Sequence, residues 1–155
     1  MGQRFSQQAL IDAPVGVVWD LLGDPERHAE WWPTVQEVEC GEIEQGCRYR
    51  SVVKPPLSRA VEHEFALERL DECREVRIRC LGTGWYTQFV LTEAQHGTFV
   101  DAEFGAEPEA GADPEPLWVR TGMAVAGKRY LRHWIEQSLD ALKAAAAPER
   151  PAPTA

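Results

Sequence analysis

Polar residues that could do acid–base chemistry stand in phase with apolar residues on two neighbouring segments. His63 alternates with Val61 and Phe65, which places its imidazole on the apolar face of a predicted strand. A neutral imidazole inside a cavity can act as a general acid or base near pH 7. A core histidine that is hydrogen-bonded to a neighbour fits the same pattern, so both interpretations stay open.

Two hydroxyl groups share the inward face of the preceding predicted strand, and they belong to Tyr49 and Ser51. Either could hydrogen-bond a carbonyl or hydroxyl of a ligand, and Tyr49 is the second candidate, beside His63, for a catalytic role. Thr87 is in phase with Trp85 on a later strand and has the same potential. The alternative for each hydroxyl is a partner in the protein or in water.

Aromatic residues are the third group that could form a site. The 155 residues include six tryptophans, and flat aromatic walls suit planar ligands, although core packing alone would also use several of them. The residues predicted to contact a ligand are Trp31, Trp32, Tyr49, Ser51, His63, Phe65, Trp85, Thr87, Phe89, Phe104, Met123 and Trp134.

Other kinds of site have little support in the sequence. Cysteines stand at positions 40, 47, 73 and 80 without a C-x-x-C pair, and no two histidines have the spacing of metal ligands, so we expect no metal. The cysteines are expected to be buried free thiols, with a Cys40–Cys47 pairing across a hairpin as the alternative. No nucleophile elbow, phosphate loop or dinucleotide fingerprint occurs, so we expect no cofactor.

The composition narrows the class of protein. A net charge of −9 and an isoelectric point near 4.9 argue against nucleic acid as a partner. No stretch approaches the roughly 18–20 apolar residues of a membrane span, and the first ten residues have no signal core. We therefore expect a cytoplasmic protein without membrane insertion, comprising one domain over residues 1–147 and a disordered tail over 148–155.

The elements that must position these residues follow from hydrophobic periodicity. A strand over Arg4–Ile11 precedes two short helices, over Val15–Leu22 and Glu26–Trp31. One long helix is predicted from Leu117 to about Ala147, after an acidic segment over 105–116 that would be an exposed loop or a lid. Between these helical parts lie six predicted strands, over residues 35–40, 47–54, 59–70, 75–81, 85–92 and 98–104.

This order predicts an α+β architecture in which a curved antiparallel sheet packs one face against one long helix. The outer face would be wet, with Arg77 and Arg79 forming cross-strand salt pairs with glutamates such as Glu68. A strongly twisted sheet that grips one helix leaves room for a cavity between them, although a well-packed core would fit the same pattern.

Several motifs, covering roughly residues 3–145, resemble the START-like (SRPBCC) superfamily and within it the polyketide cyclase/dehydrase and lipid-transport family. The residues that carry the resemblance are Ile11-Asp12-Ala13-Pro14, Val18-Trp19, Leu22, Asp24-Pro25, Trp31-Trp32-Pro33, Gly97-Thr98, and Ser138-Leu139 to Lys143. The resemblance implies the helix-grip (Bet v 1-like) fold, a curved seven-stranded antiparallel sheet wrapped around a long C-terminal helix.

The family includes aromatase/cyclases of polyketide synthesis, lipid and hormone carriers, and proteins that form dimers, so a homodimer is one expectation. The cyclases' Trp-x-Ser-x-Arg run is missing here, where the nearest stretch is Ala60–Glu64, and no catalytic residue is carried over. Three hypotheses follow. The protein binds a small hydrophobic or aromatic ligand (lipid, polyketide or isoprenoid) in an internal cavity. It is a cyclase, dehydratase or isomerase with His63 and Tyr49 in that cavity. Or it regulates a protein partner, which the exposed acidic loop and the two short helices contact.

Overall fold

The computed structural model describes residues 4–106 and 128–147. In chain order its elements are β1 (Arg4–Ile11), α1 (Val15–Leu22), α2 (Pro25–Trp31), β2 (Val35–Glu39), β3 (Arg48–Val53), β4 (Val61–Asp71), β5 (Glu75–Cys80), β6 (Trp85–Ala94), β7 (Gly97–Ala106) and α3 (Lys128–Ala146). The predicted order of elements is confirmed, and most bounds move by one or two residues. Most of the predicted acidic loop, the first part of the predicted long helix, and the predicted tail lie outside the described residues.

The seven strands form one antiparallel sheet in the order β1-β7-β6-β5-β4-β3-β2. The strands from β2 to β7 follow one another as a meander, and β1 pairs with β7 at the far edge. Because β1 and β2 lie at opposite edges, α1 and α2 carry the chain across one end of the sheet.

The two short helices begin where the local chemistry favours a helix start. Asp24 caps α2, since its carboxylate accepts a hydrogen bond from the Glu26 backbone N–H at 3.0 Å. Pro25 occupies the first turn, where its missing N–H costs nothing, so the helix starts one residue earlier than predicted. Val18, Leu21 and Leu22 of α1 are buried and close the end of the core.

The long helix α3 supplies the other wall of the core. Its predicted apolar stripe is confirmed, because Leu131, Ile135, Leu139 and Leu142 are all almost completely buried. The helix contacts β1 and β7 of the sheet and both short helices. Among the described helices, none combines the length and the apolar character that a bilayer crossing requires.

The inner faces of the central strands follow the predicted phase, which positions the candidate site. Tyr49 and Ser51 of β3 are buried, and Val61, His63 and Phe65 of β4 face the same side. A register shift in β4 lies between Leu67 and Arg69, after these positions, so it leaves the phase of His63 intact.

The outer face confirms the predicted salt pairs but is less wet than predicted. Arg77 and Arg79 bind the carboxylate of Glu68 at 3.1 and 3.0 Å. The prediction that Arg79 faces water is wrong, because the residue is only 9% exposed. The apolar ring of Tyr86, which lies 4.1 Å from the Arg77 guanidinium and 5.9 Å from that of Arg79, gives these cations a surface on which to pack.

Candidate functional site

A cavity lies between the inner face of the sheet, the end of α2 and the helix α3. The volume of this cavity is about 90 Å³, counted as the space that the centres of water-sized molecules can occupy. This is room for several waters or a small organic molecule. The predicted residues that line it are Trp32, Tyr49, Ser51, His63, Phe65, Trp85, Thr87, Phe104 and Trp134. Strands and a helix distant in sequence thus bring most of the predicted set together at one place.

Two predicted residues lie away from the cavity wall, and a third falls outside the described residues. Phe89 is 1% exposed and packs against Trp32 and Phe104 in the core, away from the cavity wall. Trp31 is also buried outside the wall, where its indole N–H donates to the Leu21 carbonyl at 2.9 Å and its ring stacks on Trp32. Met123 lies outside the described residues.

Several wall residues were missed by the sequence analysis. Val61, Ile78 and Cys80 occupy inward positions of predicted strands, so their phase was a usable signal. His28 and Thr83 lie on a short helix and in a turn, where no strand phase applies. The remaining missed residues on the wall are Thr34, Val35, Val53, Pro55 and Tyr86.

His28 is the most deeply buried polar residue on the wall, at 2% exposed. Its Nε2 lies 2.8 Å from the Leu22 carbonyl oxygen, so this nitrogen carries the proton and donates it. Burial lowers the pKa of His28 to about 4, against the smaller opposing effects of the Leu22 hydrogen bond and Asp24. His28 is therefore neutral at physiological pH and supports the adjoining Trp32 ring, 5.3 Å away between centroids.

Tyr49 presents a phenol on the β3 wall. Its ring stacks on Phe65 of the neighbouring strand, with centroids 5.6 Å apart and planes 16° from parallel. Burial raises the pKa of the Tyr49 phenol well above its ordinary value. The group therefore stays protonated across the physiological range and can donate a hydrogen bond.

Ser51 and His63 are directly opposite each other on β3 and β4. The Ser51 hydroxyl donates to the Glu37 carbonyl oxygen at 3.0 Å, so this donor already has an acceptor in the protein. The His63 ring packs against Gly82 so closely that a Cβ at that position would lie 2.5 Å from Nδ1. The absence of a side chain at Gly82 therefore makes room for the imidazole.

An aromatic wall closes the cavity towards α3. Trp134 contacts Phe104 edge-on, with centroids 5.5 Å apart, and Trp85 at the same distance in a tilted arrangement. Trp32 touches Phe104 from the other side, at 6.3 Å. These rings offer flat apolar surfaces to a ligand.

The described wall carries no formal charge of the carboxylate, ammonium or guanidinium type. Among the described residues that line the cavity, none is aspartate, glutamate, lysine or arginine. An ionised ligand would lose its hydration there without gaining a counter-charge from these residues. The site is therefore suited to uncharged molecules.

Within residues 4–106 and 128–147, no group of three or more histidine, cysteine or acidic side chains could hold a metal ion.

The four cysteines are free thiols, and of these only Cys80 is buried, whereas all four were expected to be. Burial raises the pKa of the Cys40 thiol to about 11, which keeps it protonated at physiological pH.

Solved structures similar to this chain share its fold at low sequence identity. A Staphylococcus aureus protein of unknown function, SA2116, is 15% identical with a TM-score of 0.70, and the match covers 94% of each chain. A START superfamily protein from Mycobacterium smegmatis is 12% identical with a TM-score of 0.69, covering 92% of this chain and 96% of its own.

A third similar structure is the di-domain ARO/CYC protein StfQ from the steffimycin biosynthetic pathway. It is 16% identical with a TM-score of 0.69, and the match covers 94% of this chain but only 51% of the longer StfQ chain. At these identities the likeness establishes the fold alone. No curated protein matches the chain significantly in sequence.

The family assignment comes from the sequence over nearly the whole length of the chain. The family described as polyketide cyclase / dehydrase and lipid transport matches residues 2–147. These residues include every described element of the sheet, the three helices and the cavity between them. The chain therefore belongs to the polyketide cyclase/dehydrase and lipid-transport family and has its START-like, helix-grip fold.

Proposed function

We propose that the protein binds a small, uncharged, hydrophobic or aromatic ligand in the cavity between the sheet and α3. The observation that carries the proposal is a wall of apolar and aromatic side chains without a charged residue among those described. Membership of a family named for polyketide cyclases and lipid transport supports the same kind of ligand.

The ligand's shape is limited by the rings that face the cavity. Trp134 contacts both Trp85 and Phe104, and the Tyr49–Phe65 stack lies on the neighbouring strands β3 and β4. Aromatic faces pack well against other flat groups, in offset or edge-on geometry. A planar ring or a short unsaturated chain is therefore better suited to this site than a bulky saturated one.

Two hydroxyl groups of β3 are in a position to orient the ligand. The Tyr49 phenol stays protonated because its pKa is raised, whereas the Ser51 hydroxyl already donates its hydrogen bond to the Glu37 main-chain carbonyl. We infer that Tyr49 donates a hydrogen bond that orients the ligand, whereas Ser51 can only accept one.

Native mass spectrometry of the purified protein, compared with the same sample denatured, tests the proposal. We expect a discrete excess mass that disappears on denaturation. Val53 lines the cavity and its neighbour Val52 does not, so they form a matched pair. Val53→Phe should abolish the excess mass by filling the cavity, whereas Val52→Phe should retain it.

A direct titration with two small aromatic molecules, ethylbenzene and acetophenone, completes the test. Both should bind the wild-type protein and bind Val53→Phe at least about tenfold more weakly, because the added ring occupies their space. A folded protein that carries no excess mass and binds neither molecule at millimolar concentration contradicts the proposal.

Catalysis in the same cavity is the second candidate, because His63 faces Ser51 across β3 and β4 and shares the wall with Tyr49. In that case His63 would transfer a proton and Tyr49 would polarise a carbonyl. With the ligand found by mass spectrometry as substrate, His63→Gln should lower turnover by about 100- to 10,000-fold and change affinity little. Unaltered ligand recovered after prolonged incubation with the wild-type protein would favour a carrier.

A further inference from the structure

Trp134 combines burial, a place on the cavity wall and an indole N–H that has no acceptor in the part of the chain that the structure describes. The residue is 9% exposed, and its Nε1 is buried with no acceptor among the described residues. The two indoles at the end of α2 differ in this respect. Trp31 donates to the Leu21 carbonyl at 2.9 Å, and Trp32 donates to the Ser138 hydroxyl at 2.8 Å.

A buried N–H without an acceptor is uncommon in folded proteins, because it has lost water and gained nothing in return. The described aromatic rings that contact the Trp134 ring are those of Trp85, Phe104 and Tyr130. The Tyr130 hydroxyl donates to the Pro56 carbonyl at 2.7 Å. The Ser138 hydroxyl donates to the main-chain carbonyl of Trp134. This bond involves the backbone of Trp134 and gives its indole N–H no acceptor.

The helix holds this donor in place. The Ser138 hydroxyl bonds the Trp134 carbonyl within α3 and also accepts the Trp32 indole N–H. The edge-on contact with Phe104 and the tilted contact with Trp85 restrict the Trp134 ring from the sheet side. A donor fixed by packing discriminates among ligands better than a mobile one, because its position does not adapt.

We propose that the ligand of the cavity carries a carbonyl or other acceptor oxygen, and that the Trp134 indole N–H donates to it. This inference rests on the proposed function and narrows it from uncharged aromatic molecules in general to those with an acceptor oxygen. Trp134 is thereby a specificity-determining residue. An indole N–H can only donate, so a hydrocarbon of the same shape leaves it unsatisfied.

A matched pair of molecules tests this inference. Acetophenone and ethylbenzene have similar size and shape, but only acetophenone has an acceptor oxygen. We expect the indole N–H proton resonance of Trp134 in the wild-type protein to move downfield with acetophenone and not with ethylbenzene. This measurement needs no variant and so does not depend on how a substitution folds.

Substitution separates the N–H from the ring. Trp134→Phe should weaken acetophenone binding by about 5- to 100-fold and change ethylbenzene binding by less than about threefold. Trp85→Phe is the control, because Trp85 lines the same cavity and contacts the same ring. In that variant the ratio of the two affinities should stay as in the wild type.

Four outcomes would overturn the inference. If both molecules bind and the Trp134 resonance responds to neither, or if Trp134→Phe weakens both equally, the ring alone contributes and the proposed function stands. An upfield-shifted Trp134 indole proton that does not respond to acetophenone would show that the N–H already points at a ring, such as that of Phe104. If neither molecule binds the folded protein, the proposed function fails together with the inference.

Discussion

The Trp32 indole N–H donates to the Ser138 hydroxyl at 2.8 Å, across 106 residues of sequence. The bond joins the end of α2 to the middle of α3 beside the cavity, and both partners are buried. The Ser138 hydroxyl in turn donates a hydrogen bond to the Trp134 main-chain carbonyl, so one hydroxyl contacts two tryptophans of the site.

Removing that hydroxyl should therefore be costly. Ser138→Ala leaves the Trp32 N–H buried without its acceptor, and we expect the free energy of unfolding to fall by about 1–3 kcal/mol. Urea denaturation measures this difference. Gln137→Ala, at the exposed neighbouring position, should change it by less than about 0.5 kcal/mol. Equal losses in the two variants would show that the bond contributes little.

Buried His28 should make the protein less stable in mild acid. Its pKa is about 4 in the folded state and about 6.5 when unfolded, so the unfolded chain binds the extra proton. Stability is retained above pH 6.5 and decreases as the pH falls towards 4, where this residue alone accounts for about 3 kcal/mol. Urea denaturation of the wild type across this pH range measures the loss.

His28→Gln keeps a side-chain N–H for the Leu22 carbonyl but cannot titrate, so its stability should depend less steeply on pH between 6.5 and 4. His133→Gln, at an exposed position of α3, controls for the loss of a histidine as such. A wild type and a His28→Gln variant with parallel pH profiles would contradict the assignment of this effect to His28.

Two glycine substitutions should have opposite effects. Gly97 has a φ of +151°, and a Cβ there would collide with the Ile11 carbonyl oxygen, so Gly97→Ala should destabilise by about 2 kcal/mol or more. Gly16 is exposed on α1 with open space around it, and Gly16→Ala should stabilise by up to about 1 kcal/mol. Thermal unfolding of both variants tests the pair, and a tolerated Gly97→Ala would show that β1 and β7 can separate there.

Two phenylalanines distinguish the site from the core. Phe65 lines the cavity and Phe89 does not, although both were predicted to contact a ligand. Phe89→Leu should lower the free energy of unfolding by about 1–3 kcal/mol and leave ethylbenzene affinity within about twofold. Phe65→Leu should weaken ethylbenzene binding by about three- to tenfold, because it removes a ring from the wall. Calorimetric titration and urea denaturation give both quantities, and a reversed pattern would place the ligand elsewhere.

The sequence determined the elements and the direction in which most side chains point. Strict alternation in β3, β4 and β5 gave the inward phase of Tyr49, His63 and Ile78, because the side-chain period of a strand is two. Proline and aspartate at the starts of the short helices, and the apolar stripe of α3, are similarly local signals. The order of elements then limited the fold to a curved sheet covered by one long helix.

Only the tertiary structure decided which inward residues border the cavity and which fill the core. Phe89 and Thr87 have the same phase on β6, yet only Thr87 lines the cavity, because Trp32 and Phe104 surround the Phe89 ring. Contacts between residues far apart in sequence placed His28 on the wall, and they left the Trp134 indole N–H without an acceptor among the residues described. Periodicity reports which face of an element a residue occupies, whereas packing between faces depends on how whole elements meet.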